Sequence, residues 1–200
     1  MNVQTFKEQM DRDGWVKIPC VYRTELINKI AVDVLGLEEL YAPIQRDAGV
    51  YENTRYAYHH TLLVCPSMLQ LLDNNPIHPY LEAYFEGQYI LNTIGASLVY
   101  PKTSIYTSRV HRDVRSFTKG FPLLLNTLIC LDDSTLENGA TWMLSGSHKH
   151  PTKPDDAYFY EHAVRIEAKK GDVLIFDGNI WHAAGENQSE SVRRIITPIY

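Results

Sequence analysis

From Thr24 to about Leu40 the apolar residues Leu26, Ile27, Ile30, Val34, Leu35 and Leu37 recur at helical spacing, with Thr24 placed to cap the start. That pattern predicts a helix over 24–40. Shorter helical patterns follow at 66–73 and from 76 to about 85, each with a proline in the first turn, where its missing amide is tolerated. After Gln88 the texture changes to short runs rich in β-branched and aromatic residues, at 89–100, 123–131, 163–167, 172–176 and 192–200. Turn signals such as Glu137-Asn138-Gly139 and Lys170-Gly171-Asp172 separate them. Helices first and strands afterwards predict a mainly β fold, a sandwich or barrel packed on N-terminal helices. No repeat, low-complexity tract or linker divides the chain. The expectation is one domain over 1–200, with 1–88 as mostly helical support and 89–200 as the core. The stretch 145–160, with two prolines and mixed charge, reads as a mobile flap.

Charge narrows the classes of function. Asp and Glu outnumber Lys and Arg by 24 to 19, which removes the broad positive field that nucleic-acid binding needs. No run approaches the ~18 consecutive apolar residues of a membrane span, and residues 1–14 are polar rather than a signal peptide. The reading is of a cytoplasmic protein that partners neither nucleic acid nor membrane; the sequence carries no signal for oligomeric state. Cys20, Cys65 and Cys130 are too far apart for a zinc knuckle or redox pair and read as buried, small apolar residues.

The candidate chemistry begins at His111-Arg112-Asp113, since residues i and i+2 of an extended strand project from the same face. His182 lies far downstream, behind the strand-like run 172–176 and an Asp177-Gly178-Asn179 turn, and joins the pair only if the chain returns across one barrel. Two imidazoles and a carboxylate on one side of an octahedral ion leave positions open, the arrangement of non-haem iron(II) oxygenases. An HxD triplet among 8 histidines also recurs by chance, so the surrounding sequence must carry the assignment.

That surrounding sequence resembles the phytanoyl-CoA dioxygenase (PhyH-like) family. The resemblance lies in the runs 125–133 (LNTLICLDD) and 137–148 (ENGATWMLSGSH), then in 170–176 (KGDVLIF) followed by Trp181-His182, Gly185, Asn187, Ser189 and Arg193. It extends from about residue 89 to 200; the N-terminal helices match only in character. It implies a double-stranded β-helix, or jelly roll, with iron(II) held by His111, Asp113 and His182. It further implies 2-oxoglutarate and dioxygen as cosubstrates, and a small-molecule substrate hydroxylated with release of succinate and CO2. The family's arginine for the distal carboxylate of 2-oxoglutarate falls eleven residues after the second histidine, which is Arg193 rather than Arg194. A planar guanidinium suits that carboxylate, but alternation only puts the two arginines on opposite faces and does not choose between them. Related halogenases lack the carboxylate ligand; Asp113 is present, so the resemblance implies hydroxylation rather than halogenation.

Weaker positions follow. Asn126 shares a strand face with Leu128 and Cys130, and related chains place a polar residue near it against 2-oxoglutarate; the plain alternative is a core amide. Arg109 and Arg115 flank the ligand pair by two residues on either side and would favour an anionic substrate if the strand kept its pleat, whereas a strand ending after Asp113 leaves Arg115 solvated. Phe117, Trp142 and Trp181 can wall a substrate pocket or fill a core. His148 and His150 form an HxH pair after a Gly-Ser turn, but the ligand triad is complete without a second metal site; His148, in the family's Gly-Ser-His turn, reads as ordering the flap, and Tyr58-His59-His60 as surface or packing. Two other classes stay open: a non-catalytic, cupin-like metal-binding or sensing module, which would not require Arg193, and a zinc hydrolase, whose activity would not require dioxygen.

Overall fold

The computed structural model describes residues 1–73, 75–103 and 106–200. Its helices are α1 (Val3–Asp13), α2 (Thr24–Asp33), α3 (Leu37–Asp47), the single turn α4 (Tyr51–Thr54), α5 (His78–Phe85) and α6 (Asp156–His162). The strands are β1 (Trp15–Ile18), β2 (Ala57–Tyr58), β3 (Thr93–Val99), β4 (Leu125–Cys130), β5 (Thr141–Met143), β6 (Val164–Ile166), β7 (Val173–Asp177), β8 (His182–Ala183) and β9 (Arg193–Ile199). They form a six-stranded antiparallel sheet of order β1-β7-β4-β9-β3-β2 and a three-stranded sheet of order β6-β5-β8. The fold is mainly β with N-terminal helices: a jelly roll, or double-stranded β-helix.

Strand β7 reads VLIFD because both of its faces are covered. Val173 and Ile175 face the helices with Phe6, Ile27, Ile30 and Leu81, while Leu174 and Phe176 join Met143, Ile166 and Ile180 in a second apolar cluster. At roughly 1.5–3 kcal/mol for each fully buried large apolar side chain, the helix-side layer is the main source of cohesion. In β9 the alternation sends Arg193, Ile195, Thr197 and Ile199 to the interior cavity, while Ile196 and Tyr200 belong to the helix-side cluster.

Several expectations are corrected. Thr24 is the first helical residue and not the cap; Arg23 occupies that place without a side-chain cap bond. The 24–40 helix breaks at a 3-10 turn, Val34–Gly36, before α3 runs on to Asp47. Residues 66–71 form a 3-10 helix, the geometry the chain adopts for short connectors. The N-terminal segment supplies both edges of the large sheet, β1 and β2, which are too short to show a period on their own. The stretch 145–160 is anchored: α6 is capped by the Asp155 carboxylate, which accepts from the Tyr158 amide at 2.8 Å, and its Phe159 is fully buried against Leu144 and Trp181. Cys65 and Cys130 are buried, but Cys20 is exposed in the turn after β1. Among the described residues no helix is long and apolar enough to cross a membrane.

Candidate metal centre

Strand β8 is two residues long and carries His182 on the floor of the cavity between the sheets. The His111 amide donates to the His182 carbonyl at 3.0 Å and the His182 amide returns the bond to His111 at 2.9 Å. This single bridge sets the two imidazoles side by side, 4.2 Å between ring centroids. The chain does not stay extended through Asp113, as strand alternation would require; it bends, and the Asp113 amide bonds to the Gly178 carbonyl at 3.1 Å. The carboxylate nonetheless comes to the histidines, with Oδ1 3.6 Å from His111 Nε2 and Oδ2 3.7 Å from His182 Nε2. The three donor atoms lie within 4.8 Å of one another, a set that one metal ion could join.

The imidazoles are oriented for that purpose. His111 Nδ1 lies 2.7 Å from the Arg109 carbonyl and His182 Nδ1 3.0 Å from the Ile180 carbonyl. A carbonyl only accepts, so each Nδ1 carries a proton and Nε2, on the Asp113 side of each ring, is the nitrogen that could bind a metal. Burial pushes His182 down to about 4, against the pull of Asp113, so the ring is a neutral donor at ordinary pH.

The centre lies in a cavity of about 130 Å³ that runs between the sheets from the histidines to Arg193. Arg193 is 1% exposed and donates from Nε to the Asn138 carbonyl at 3.0 Å, with Nη1 3.5 Å from Ser134 Oγ. Its Nη2 is buried without a partner, as is Nδ2 of Asn126 on the same cavity wall. Burial pushes the Arg193 guanidinium down to about 10, and among the described residues no carboxylate forms an ion pair with it. A desolvated guanidinium and a desolvated amide, both with idle N–H groups, call for an anionic or strongly accepting ligand. The donor set of the triad together with these idle donors fits iron(II) and a dicarboxylate.

Other predicted site residues lie elsewhere. Arg109 and Arg115 are exposed and do not line this cavity; their carbonyls accept from His111 and from Arg112. Phe117 lines a separate cavity of about 580 Å³ beside α1 and α5. Trp142 alternates with the inward Thr141 and so faces outward, packed on Tyr160 with the Arg165 guanidinium 5.1 Å over its ring. Sequence reasoning missed His59, Tyr106 and Thr141 as lining residues of the metal cavity. His59 arrives there because β2 pairs with β3 (Ala57 opposite Ser97), a long-range event without a local signal. Burial, and then the Asp113 charge, push the Tyr106 phenol up.

A phytanoyl-CoA dioxygenase (PhyH) family model matches residues 10–195. Among curated relatives, the uncharacterized protein Rv1501 of Mycobacterium tuberculosis is 27% identical over 136 residues, covering 68% of this chain and 48% of that protein. The iron/alpha-ketoglutarate-dependent dioxygenase ausU of Aspergillus calidoustus is 26% identical, covering 98% of this chain and 69% of its own length. The chain thus spans about half the length of the mycobacterial relative and about two thirds of the fungal one. Among solved structures, the non-heme alpha ketoglutarate dependent carbocyclase SnoK from nogalamycin biosynthesis superposes with a TM-score of 0.76 at 18% identity, covering all of this chain and 83% of SnoK. That likeness establishes the fold.

Proposed function

The chain belongs to the phytanoyl-CoA dioxygenase (PhyH) family, and from that premise we propose that it is an iron(II)- and 2-oxoglutarate-dependent dioxygenase hydroxylating a small molecule within a single domain. The observation that carries this reading is Arg193, a buried cation with no ion-pair partner among the described residues, in the same cavity as a histidine–histidine–carboxylate cluster. A metal kept for structure alone would not require it.

In this reading His111, Asp113 and His182 hold iron(II), and Arg193 with Asn126 binds the distal end of 2-oxoglutarate. The bound metal and cosubstrate, with dioxygen, supply an oxidant and release succinate and CO2. The protein's part is orientation and exclusion of water. The two Nδ1–H groups fix the faces of the imidazoles, the guanidinium fork sets the angle of the cosubstrate, and Val99, Leu128, Phe176 and Ile195 keep the cavity dry. His59, Tyr106 and Thr107, on the same lining, are the candidate substrate contacts. No cationic side chain other than Arg193 lines the cavity among the described residues, so the preference for an anionic substrate that rested on Arg109 and Arg115 is not carried forward.

The test is anaerobic addition of iron(II) and 2-oxoglutarate to metal-free protein. A weak visible charge-transfer band should appear, because the keto acid chelates the iron. His111→Ala and His182→Ala should each abolish the band. Its absence in folded, metal-loaded native protein would overturn the reading.

A further inference from the structure

Two of the three ligand side chains are aimed by hydrogen bonds of their own, and the third is not. Among the described residues the Asp113 carboxylate accepts no hydrogen bond, and Asp113 belongs to no strand. Its place is fixed through the backbone. The amides of Asp113 and Val114 both donate to the one carbonyl of Gly178, at 3.1 and 2.9 Å. A little further along, Asn179 grips the same segment: its Oδ1 accepts from the Thr118 amide at 3.3 Å and its Nδ2 donates to Thr118 Oγ1 at 2.9 Å. Asn179 is 3% exposed.

The turn that does the gripping is itself held on several sides. Asp177 Oδ1 accepts from the Asn179 amide at 2.7 Å and closes the turn, and its Oδ2 accepts from the Tyr84 hydroxyl of α5 at 2.8 Å. The Asp177 amide donates to the Gly14 carbonyl and the Gly178 amide to that of Leu124, each at 2.9 Å. A Cβ on Gly178 would lie 2.7 Å from Val114 Cγ2, 2.8 Å from Leu124 Cδ2 and 3.1 Å from the Leu124 carbonyl oxygen, so a side chain there would push the Val114 and Leu124 side chains aside.

We infer that the 177–179 turn is a positioning device for Asp113 and that Asn179 is the residue on which it depends. By holding Thr118, Asn179 keeps the 113–118 segment at the place where the carboxylate faces the two imidazoles. Asn179 acts through the backbone and touches neither metal nor substrate. The inference rests on the metal reading of the triad given above.

The experiment is anaerobic titration of the metal-free protein with iron(II), and with cobalt(II) as an air-stable probe, alongside thermal unfolding of the same samples. Asn179→Ala and Thr118→Val should each weaken metal binding by about tenfold or more, the size typical of lost support to a ligand, while the metal-free proteins stay folded at the assay temperature. The double variant should bind no more weakly than the weaker single one, because the hydroxyl bond that Thr118→Val deletes is one of the two that Asn179→Ala already removes. Thr118→Ser, which keeps the hydroxyl, should bind nearly as the native protein does. Affinities within threefold of native for both single variants, or losses that add in the double variant, would overturn the inference. His182→Ala separates the two layers of argument. If it leaves metal binding intact, the metal reading itself fails; if it abolishes binding while Asn179→Ala and Thr118→Val do not weaken it, only the positioning role fails.

Discussion

Arg193 and Arg194 are consecutive in β9 and have opposite electrostatic fates. Arg194 closes as a fork on Asp132, with Nε 2.8 Å from Oδ2 and Nη2 2.6 Å from Oδ1, and its Nη1 donates to the Ala31 carbonyl at 2.7 Å. Arg193, more deeply buried, hydrogen-bonds among the described residues only to carbonyl and hydroxyl oxygens. Desolvation of an unpaired cation is costly, and a bound carboxylate would offset it. Arg193→Ala should therefore weaken 2-oxoglutarate binding by roughly 2–5 kcal/mol, about 30- to 4000-fold, and Arg193→Lys should restore only part, since an ammonium lacks the fork. Arg194→Ala should change that affinity by no more than about threefold and should instead lower stability by about 1–3 kcal/mol. Cosubstrate titration and urea unfolding of the three variants check this; a large affinity loss at Arg194 with none at Arg193 would reverse the assignment.

Acid should destabilise the metal-free protein through His182. Burial holds its folded value near 4, while the unfolded chain titrates near 6.5. Between those values the unfolded state binds a proton that the folded state does not, so stability falls as pH drops from about 6.5 toward 4 and on this account is flat above. The full loss is on the order of 3 kcal/mol. Urea unfolding at pH 7.5, 6 and 5 should show the decline, and His182→Gln should flatten it. An unchanged slope in the variant would assign the acid sensitivity to another group.

Thiol reactivity should distinguish the three cysteines. Burial pushes the Cys130 thiol up to about 12 and raises that of Cys65, whereas Cys20 is exposed. An aromatic disulfide reagent should find one fast thiol in native protein and three in denaturant, and Cys20→Ser should remove the fast one. Rapid reaction of two thiols in native protein would contradict the burial of Cys65 or Cys130.

Much of the sheet was legible in the chain because β3, β4, β7 and β9 are long enough to show a burial pattern locally. Strands β1, β2 and β8 are not; each exists because a distant strand supplies its partners, β7 for β1, β3 for β2 and β5 for β8, with the His111 bridge as a further contact of β8. The candidate ligands were visible for a similar mix of reasons. His111-Arg112-Asp113 stands out as a triplet, but the carboxylate reaches the histidines through a bend and a bond to Gly178 rather than through strand alternation. His59 in the cavity and Trp142 outside it depend on pairing register, which residue identity does not encode.

The last prediction concerns the turn that orients Arg193. The Asn138 carbonyl accepts from Arg193 Nε at 3.0 Å, and Asn138 is pinned in turn by its side chain, which accepts from the Thr135 amide and donates to the Asp133 carbonyl, each at 2.7 Å. The next residue, Gly139, has φ +89, and a Cβ there would lie 2.4 Å from the Gly185 carbonyl oxygen and 2.9 Å from its carbon. These are backbone atoms of a neighbouring segment and cannot rotate away. Gly139→Ala combines left-handed strain with overpacking, each of order 1–3 kcal/mol, so a loss of about 2–6 kcal/mol is expected. Relief requires the 137–140 turn to shift, and the shift moves the carbonyl that aims the guanidinium; 2-oxoglutarate affinity should therefore drop about tenfold in the fraction that remains folded. Asn138→Ala is the comparison, since it removes the two side-chain bonds but keeps the carbonyl and the glycine beside it, and should cost stability with a smaller change in affinity. If Gly139→Ala bound 2-oxoglutarate as the native protein does, the aim of Arg193 would have to come from the strand β9 itself, and Ser134, the other oxygen near its guanidinium, would be the next residue to vary.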